Sequence, residues 1–186
     1  NIKSFLGKPM IQYAIKTANE SKIFKKIVVT SDSEEILSIS EQFSKDIFLY
    51  KRSRKLSDDL TGTLPVVKDV ILNAQFDFDF DFTCCIYPCV PLLEPHLLRK
   101  GYSLMQKSPQ KYVLPVKQFE SSIYRSFYLD NENKIHLNFP ENQRTRTQDL
   151  TNSYYDAGQF YFGKNNFWTS DTDLHSNSHG IEVGPY

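Results

Sequence analysis

The sequence lacks the features that define several large protein classes. Its 186 residues include only 7 glycines, 3 cysteines and 1 tryptophan. No apolar run approaches the roughly 20 residues of a membrane helix. Nothing near Asn1 resembles a signal peptide, and the chain begins without methionine, so we expect further residues ahead of it. The patterns GxGxxG, GxSxG and GxxxxGK followed by Ser or Thr are absent, which removes the defining residues of dinucleotide-binding proteins, serine hydrolases and P-loop proteins.

An excess of charge of one sign is also missing. The 22 basic residues equal the 22 acidic ones, so the composition predicts no binding to nucleic acid or to an anionic membrane, and any phosphate site must be local. Cys84, Cys85 and Cys89 are odd in number and lack CxxC spacing, which favours reduced thiols in a cytoplasm. With 40% hydrophobic residues, the chain can bury one core, and we expect a single domain over residues 1–186.

Short apolar runs alternate with amphipathic stretches in the first part of the chain. Ile27 to Val29 is a continuous apolar run, typical of a strand buried on both faces, and Ile47 to Tyr50 and Thr83 to Tyr87 read as further strands. Helical spacing of apolar residues follows each strand and also precedes the first, from Met10 to Ala18. This alternation predicts a three-layer α/β fold with a mostly parallel central sheet.

Three polar loops follow these strands, and we expect them to meet at the carboxyl edge of the sheet. They are Thr30 to Asp32, Arg52 to Thr63 and Tyr87 to Pro91. The middle loop combines arginines, adjacent carboxylates and hydroxyls just before a helix, which suits an anionic, oxygen-rich ligand. A plainer interpretation is also open: Thr63 could be an N-cap and Pro65 a first-turn proline, with the charges simply solvated.

The pattern changes after the strand Tyr112 to Val116. Apolar residues alternate on both sides of the polar turn Asp130 to Asn133, which predicts a β-hairpin serving as a lid or a dimerisation arm. The last stretch, Thr169 to Gly180, is polar and reads as irregular. His175 and His179 have metal-ligand spacing, but their surroundings favour solvated loop histidines. Cys89 is better read as a buried strand-end thiol than as a nucleophile.

Several motifs, in this order and spacing, resemble the acylneuraminate cytidylyltransferases, the CMP-sialic acid synthetase family, and most of all the branch acting on pseudaminic acid. The resemblance runs from Asn1 to Tyr186. The motifs that carry it are Gly7-Lys8-Pro9, Thr30-Ser31-Asp32, Arg52 with Leu56-Ser57-Asp58-Asp59, Thr61-Gly62-Thr63, Tyr87-Pro88-x-x-Pro91-Leu92, Thr145-Arg146-Thr147-Gln148-Asp149-Leu150 and Tyr154-x-Asp156-Ala157-Gly158-Gln159.

The resemblance implies a Rossmann-like nucleotidyltransferase fold and a reaction in which a nonulosonic acid attacks CTP with Mg²⁺, giving the CMP-sugar and pyrophosphate. It also implies a homodimer with a dimerisation arm at about residues 118–151. Arg52 and Arg125 would be the catalytic cations. The nucleotide would be bound by Asn1, Arg52, Asp59, Thr61 and Thr63, and the sugar by Tyr87, Arg125, Tyr155, Asp156 and Gln159, with Arg125 on its carboxylate.

The sequence departs from the family in two ways. The family's basic, glycine-containing phosphate loop and its Asp-x-Asp metal motif would lie beyond the two ends, so we expect the Mg²⁺ ligands outside this sequence. Cys89 replaces the branch's usual threonine and Tyr155 its frequent histidine, which leaves the sugar open. The alternatives are activation of sialic acid, legionaminic acid or Kdo, and a non-catalytic dimeric module that retains the scaffold.

Overall fold

The computed structural model describes residues 1–44, 46–107, 109, 111–170 and 172–184. Its helices are α1 Met10–Ser21, α2 Glu34–Glu41, α3 Thr63–Asn73, α4 Pro95–Lys107 and α5 Asn165–Trp168. Its strands are β1 Ser4–Phe5, β2 Lys8–Pro9, β3 Ile27–Ser31, β4 Ile47–Lys51, β5 Phe82–Ile86, β6 Tyr112–Gln118, β7 Phe127–Leu129, β8 Ile135–Leu137, β9 Tyr154–Asp156, β10 Phe160–Lys164 and β11 His179–Glu182. From α1 to β6, helices and strands alternate as predicted.

The larger sheet has the strand order β11-β6-β10-β5, with β9 added beside β6. In this sheet β11 runs parallel to β6, whereas β10 is antiparallel to both β5 and β6. β5 and β6 thus run in the same direction, as expected for strands joined through α4, but β10 lies between them in the reverse direction. Strand–helix alternation indicates the crossovers, so it did not reveal that β10 lies between β5 and β6.

Side chains of β10 alternate between the two faces of the larger sheet. Phe160 and Phe162 pack with Leu98 and Met105 of α4 in one core cluster. Tyr161 packs on the other face with Val67, Tyr112, Leu114 and Trp168. Period-two burial on both faces confirms three layers. Gly163 is required there, because a Cβ would lie 2.5 Å from the Trp168 Nε1 atom.

β3 and β4 form a separate parallel pair, connected through α2. Their core cluster contains Ile11 and Ile15 of α1, Val29 and Leu37. Asp32 and Ser33 both have side chains that can cap the N-terminus of α2. The Ser33 hydroxyl accepts a hydrogen bond from the Ile36 amide at 3.4 Å, which identifies Ser33 as the cap.

β7 and β8 form the predicted hairpin, with Phe127 opposite Leu137 and Leu129 opposite Ile135. Asp130 Oδ1 closes the turn by accepting hydrogen bonds from the amides of Glu132 and Lys134, both at 2.9 Å. The apolar side chains of this hairpin stay largely exposed, with 56% of Leu129 and 62% of Ile135 accessible. The fold of one chain therefore does not cover this surface.

One further segment differs from the sequence interpretation. The polar stretch before Gly180 was read as irregular, yet β11 begins inside it at His179 and brings Ile181 into the core. Asp171 lies outside the described residues. The alternating Phe76 to Phe82 segment forms a cluster of rings, with the centroids of Phe76 and Phe80 5.2 Å apart. No helix among the described residues is both long and apolar enough to cross a membrane.

Candidate functional site

A cavity of about 690 Å³ lies between β3 and β5, and its polar end is where the predicted loops meet. Ser31, Arg52 and Tyr87 are among the residues that line this end, so each of the three loops contributes. Asn1, Thr61 and Thr63 also line the cavity. The prediction that polar loops remote in sequence converge at the carboxyl ends of the strands is thus confirmed.

Arg52 is anchored at this polar end by its neighbours. Its amide donates to the Ser31 carbonyl at 2.9 Å, and its Nε donates to the Ser57 hydroxyl at 3.1 Å. Its Nη2 lies 3.7 Å from Asp32 Oδ1, an ion pair that is too long for a hydrogen bond. The side chain is 24% exposed, so the guanidinium is both held in place and accessible to a ligand at the cavity mouth.

Asp58 shapes the loop that leads from Arg52 to α3. Its Oδ1 accepts hydrogen bonds from the Thr61 hydroxyl and from the amides of Thr61 and Leu60, at 2.7 to 3.0 Å. These bonds, led by the one from the Thr61 hydroxyl, lower the pKa of Asp58. Asp59, which the resemblance assigned to the nucleotide, is exposed and does not line the cavity. The carboxylate that organises this loop is that of the preceding residue, Asp58.

Thr63 has a different role from a simple cap. The cap of α3 is Gly62, and Thr63 is the first helical residue. Its hydroxyl lies 2.7 Å from the Tyr87 hydroxyl, which joins the start of α3 to the end of β5. The plainer interpretation of Thr63 as an N-cap is therefore wrong, and the first turn of α3 faces the cavity mouth beside Tyr87.

A network of polar side chains continues from Tyr87 into β9 and β10. The rings of Tyr87 and Tyr161 pack edge to face with centroids 5.5 Å apart, and the Tyr161 hydroxyl donates to Asp156 Oδ2 at 2.7 Å. Asp156 Oδ1 accepts from the Gly158 amide at 2.8 Å. Burial, followed by the hydrogen bond to Asp156, raises the pKa of Tyr161. Sequence reasoning missed Tyr161, although a buried tyrosine hydroxyl calls for a partner.

His175 also belongs to this network. Its Nε2 atom lies 3.0 Å from Asp156 Oδ2, so it is not the purely solvated loop residue that the sequence indicated. His179 lies in β11 instead of sharing a helical face with His175. A contact across 19 residues leaves no local pattern that could have predicted it. A continuous series of side-chain contacts therefore begins at the cavity with Tyr87 and continues through Tyr161 and Asp156 to His175.

The other amino acids that the resemblance assigned to sugar binding lie in two different parts of the structure. Gln159 is buried, and its carbonyl accepts the Tyr87 amide at 3.0 Å, so it lies beside the cavity wall. Tyr155 packs its ring on Phe119 at 4.9 Å. Arg125 donates to the Gln143 carbonyl at 2.9 Å and to the Thr145 carbonyl. Neither Tyr155 nor Arg125 lines the cavity of its own chain.

The cysteines lie on or near the cavity without forming a catalytic pair. Cys89 is exposed, so the prediction that it is buried is wrong, and its thiol donates to Asn1 Oδ1 at 3.4 Å. Cys84 and Cys85 line the apolar part of the cavity. Burial raises the pKa of Cys85 to about 12, and burial, followed by the neighbouring thiol, raises the pKa of Cys84. Thiols with raised pKa values are poor nucleophiles near neutral pH, which favours a structural role for both.

Magnesium was expected with its ligands outside this sequence. Within the described ranges, no group of three or more His, Cys, Asp or Glu side chains is arranged to hold a metal ion. A magnesium site needs carboxylates or other oxygens in near-octahedral geometry. The residues described here do not fit that requirement by themselves, so no step of the chemistry is routed through a metal held by this chain.

The Rossmann-like α/β fold brings an arginine, hydroxyls and the start of a helix together at one edge of the sheet, where such folds bind ligands. The same fold is found in a solved structure titled CMP:2-keto-3-deoxy-manno-octonic acid synthetase complexed with CTP. The TM-score is 0.68 at 11% sequence identity, over 98% of this chain and 82% of the other. At that identity the likeness shows the fold alone. A family model described as "Cytidylyltransferase" matches residues 1–179. The chain belongs to the cytidylyltransferase family.

Relatives with stated activities are more similar in sequence. The pseudaminic acid cytidylyltransferase of Campylobacter jejuni is 37% identical over 174 residues, which cover 92% of this chain and 74% of the relative. The CMP-N,N'-diacetyllegionaminic acid synthase of the same species is also 37% identical, but over 86 residues, which cover 46% of this chain and 36% of the relative. Of these two relatives, the pseudaminic acid enzyme is the one that is similar along almost the whole chain.

Proposed function

We propose that this protein transfers the cytidylyl group of CTP to pseudaminic acid, giving the CMP-sugar and pyrophosphate. The observation that carries the proposal is the cavity mouth at which Arg52, Thr63 and Tyr87 meet. Arginine is a strong ligand for phosphate oxygens, and the free amides of the first turn of α3 add donors and a positive dipole end. The similarity to the Campylobacter jejuni enzyme supports the choice of sugar.

The reaction is a displacement at phosphorus. The anomeric hydroxyl oxygen of the sugar forms a bond to the α-phosphorus of CTP, the bond from that phosphorus to the bridging oxygen breaks, and pyrophosphate leaves. The hydroxyl proton is released in the same exchange. Such reactions depend mainly on positioning and on stabilising negative charge. At the cavity mouth, Arg52 supplies a fixed positive charge. The hydrogen bond from the Thr61 hydroxyl to Asp58 stabilises the conformation of the neighbouring loop.

The sugar would lie next to Tyr87, Asp156 and Gln159. These residues are connected through the Tyr161 hydroxyl and the Tyr87–Gln159 backbone hydrogen bond. Asp156 can accept hydrogen bonds from sugar hydroxyls, and the Gln159 amide can donate and accept. Our proposal for this side of the site is that Tyr87 separates the nucleotide from the sugar, since it touches Thr63 on one side and Gln159 on the other.

Arg125 and Tyr155 enter the proposal through a homodimer. The exposed apolar hairpin β7–β8 is suited to pack on a second copy, because large uncovered apolar surfaces mark interaction sites. In that arrangement Arg125 and Tyr155 would face the sugar site of the neighbouring subunit, where the guanidinium could bind the sugar carboxylate. The proposal also includes Mg²⁺ held by carboxylates outside these residues, a cytoplasmic location and no nucleic-acid partner.

Pyrophosphate release tests the proposal directly. The protein, with the residues that flank this chain in its natural reading frame, is incubated with CTP, Mg²⁺ and pseudaminic acid. We expect release that depends on the sugar, and we expect CTP to be preferred over ATP, GTP and UTP. The variant Arg52→Ala removes the proposed phosphate ligand and should lower the rate of release strongly. If no nonulosonic acid supports release while the protein remains folded by circular dichroism, the proposal is wrong.

Legionaminic acid is the second candidate substrate, because the Campylobacter jejuni legionaminic acid enzyme is similar to this chain over 86 residues. A one-pot competition separates the two. Pseudaminic acid and N,N'-diacetyllegionaminic acid are supplied at equal concentration, and the two CMP-sugars are quantified by mass spectrometry. The proposal predicts an excess of CMP-pseudaminic acid at early times. A larger amount of the legionaminic acid product would reassign the substrate while leaving the cytidylyl transfer in place.

A further inference from the structure

The Asp156 carboxylate is held by donors from different parts of the chain. The Gly158 amide donates to Oδ1 at 2.8 Å, and the Tyr161 hydroxyl donates to Oδ2 at 2.7 Å. The His175 Nε2 atom lies 3.0 Å from the same Oδ2 atom, across 19 residues of sequence. An ionised carboxylate only accepts hydrogen bonds, so Nε2 must carry a proton and donate. The proposed reaction uses Asp156 for the sugar but gives no role to His175.

Asp156 lies at the edge of the larger sheet where ligands are expected. β9 pairs with the carboxyl end of β6, and Asp156 is opposite Val116 there. β5 runs in the same direction as β6 and leads into Tyr87, which lines the cavity. The side chain of Asp156 is 25% exposed. A ligand bound beside Tyr87 therefore occupies the same sheet edge as a carboxylate that is still partly accessible.

The turn that carries His175 is anchored on both sides of this residue. Leu174 packs against the core cluster that contains Tyr161. Asp173 Oδ1 accepts the His175 amide at 3.1 Å, and Asp173 Oδ2 accepts the Ser176 hydroxyl at 2.8 Å. An imidazole that is 61% exposed would otherwise exchange between rotamers. The anchored backbone therefore directs the ring towards β9.

The imidazole lies between two carboxylates. Its Nδ1 atom is 3.7 Å from Asp173 Oδ1, on the side away from Asp156. Hydrogen bonds, led by the one from the His175 amide, lower the pKa of Asp173. An acidic sugar would bring its own negative charge towards Asp156. Donors that bind the Asp156 carboxylate disperse its charge and so reduce the repulsion.

We propose that His175 is a positioning residue for the sugar side of the site, acting through Asp156. It fixes the orientation of the carboxylate and shares its charge before the sugar arrives, which reduces the rearrangement on binding. Oδ2 receives two of the three hydrogen bonds, so Oδ1 is the oxygen better placed to accept from a sugar hydroxyl. This inference rests on the proposed function, since it assigns His175 to the substrate of that reaction.

Two substitutions separate the hydrogen-bond donor from the ring. His175→Phe keeps a ring but donates nothing, and we expect the KM for pseudaminic acid to rise about tenfold, as for a lost hydrogen bond to a charged group. His175→Gln replaces the ring by an amide donor and should stay close to the wild type. The Kd for CTP, measured by titration calorimetry, should change little in both variants, and kcat should change less than KM.

His96→Gln is the matched control for these variants. His96 is a similarly exposed histidine that is paired with Glu94, but it lies on α4, on the opposite face of the larger sheet. Its substitution should leave both KM and the Kd for CTP unchanged. If His175→Phe does not fold by circular dichroism, His175→Ala takes its place, because it also removes the donor.

A double-mutant cycle measures the contact without nucleotide or sugar. Urea unfolding gives the free energies of unfolding of the wild type, His175→Phe, Asp156→Asn and the double variant. The two substitutions disrupt the same hydrogen bond, so we expect their effects to be non-additive. Additive effects would show that His175 does not act on Asp156, and this result would overturn the inference whatever reaction the protein catalyses.

The kinetic outcomes distinguish this inference from the proposed function. If His175→Phe leaves the KM for the sugar unchanged, or weakens sugar and CTP equally, His175 is not a positioning residue, while pyrophosphate release by the wild type still supports the reaction. A loss in His175→Gln as large as in His175→Phe would also contradict the role of the donor. Absence of release by the wild type with every nonulosonic acid would overturn the proposed function and, with it, this role.

Discussion

The side chains of the candidate site are held by short polar contacts to neighbouring loops. Arg52 is fixed by Ser31 and Ser57, and Thr63 is fixed by Tyr87. Such contacts reduce the rearrangement needed when a charged ligand binds. We expect some of these side chains to serve the nucleotide and others to serve the sugar.

Arg52→Ala should weaken CTP binding, and Arg125→Ala should mainly weaken sugar binding. A lost charge-assisted hydrogen bond corresponds to about 1.5–3 kcal/mol, or roughly a tenfold to hundredfold increase in Kd. Arg52→Lys keeps the charge but loses the planar fork, so we expect an intermediate effect. Titration calorimetry with each ligand separately measures both constants. Equal losses of both ligands in Arg52→Ala and Arg125→Ala would contradict the division of roles.

Tyr161→Phe should lower stability and remove part of its alkaline dependence. The Tyr161–Asp156 hydrogen bond contributes about 1–3 kcal/mol. The raised pKa of Tyr161 means that folding favours its neutral form. The contribution of this hydrogen bond to the free energy of unfolding is therefore complete below the ordinary tyrosine pKa of 10.0. The contribution is lost progressively as the pH rises above that value. Urea unfolding between pH 8 and pH 11 should show a steeper decline for the wild type than for Tyr161→Phe. Parallel declines would disprove this coupling.

The positions of residues at the cavity were accessible from the sequence where they rest on local order, whereas contacts between distant residues were not. Arg52, Thr61, Thr63 and Tyr87 were predicted because each follows a strand in a recognisable motif. His175 was read as solvated because the 19 residues between it and Asp156 carry no pattern that links them. Asp59 was assigned to the nucleotide by the resemblance to the family, and sequence order could not show that Asp58 is the carboxylate that turns back towards the loop amides.

At the scale of elements, periodicity identified the helices α1 to α4 and several strands, but it identified neither the short helix α5 nor all the strand pairings. The antiparallel direction of β10 depends on where the chain re-enters the sheet after the hairpin, and hydrophobic patterns do not encode this. β11 was missed because it is short and begins in a polar stretch at His179. The β7–β8 hairpin was predicted correctly, because alternation on both sides of a polar turn is a strong local signal.

Charges on the hairpin should prevent dimer formation without unfolding the subunit. Leu129 and Ile135 form a directly opposed pair and are more than half exposed. Leu129→Asp with Ile135→Asp would bury two like charges at a dimer interface, and we expect at least a tenfold weaker dimer. Sedimentation equilibrium measures the association constant, and Asn131→Ala in the exposed turn is the matched control. A dimer unaffected by the double substitution would place the interface elsewhere.

At the scale of the whole molecule, three core clusters organise the chain. Two lie on opposite faces of the larger sheet, and the third joins α1 and α2 to β3 and β4. The sequence predicted this layered arrangement from strand–helix alternation. It could not predict that the sheet is divided at β3 and β5, because the two strands read as ordinary interior strands.

The central claim is that loops distant in sequence form one nucleotide site at the carboxyl end of β3 and β5. The most direct measurement is a crystal structure of the natural protein with CTP, in the absence of sugar. The account predicts triphosphate density at the cavity mouth, with phosphate oxygens within roughly 3.2 Å of the Arg52 guanidinium and of amides in the first turn of α3. A nucleotide bound away from Arg52, Thr63 and Tyr87 would contradict it.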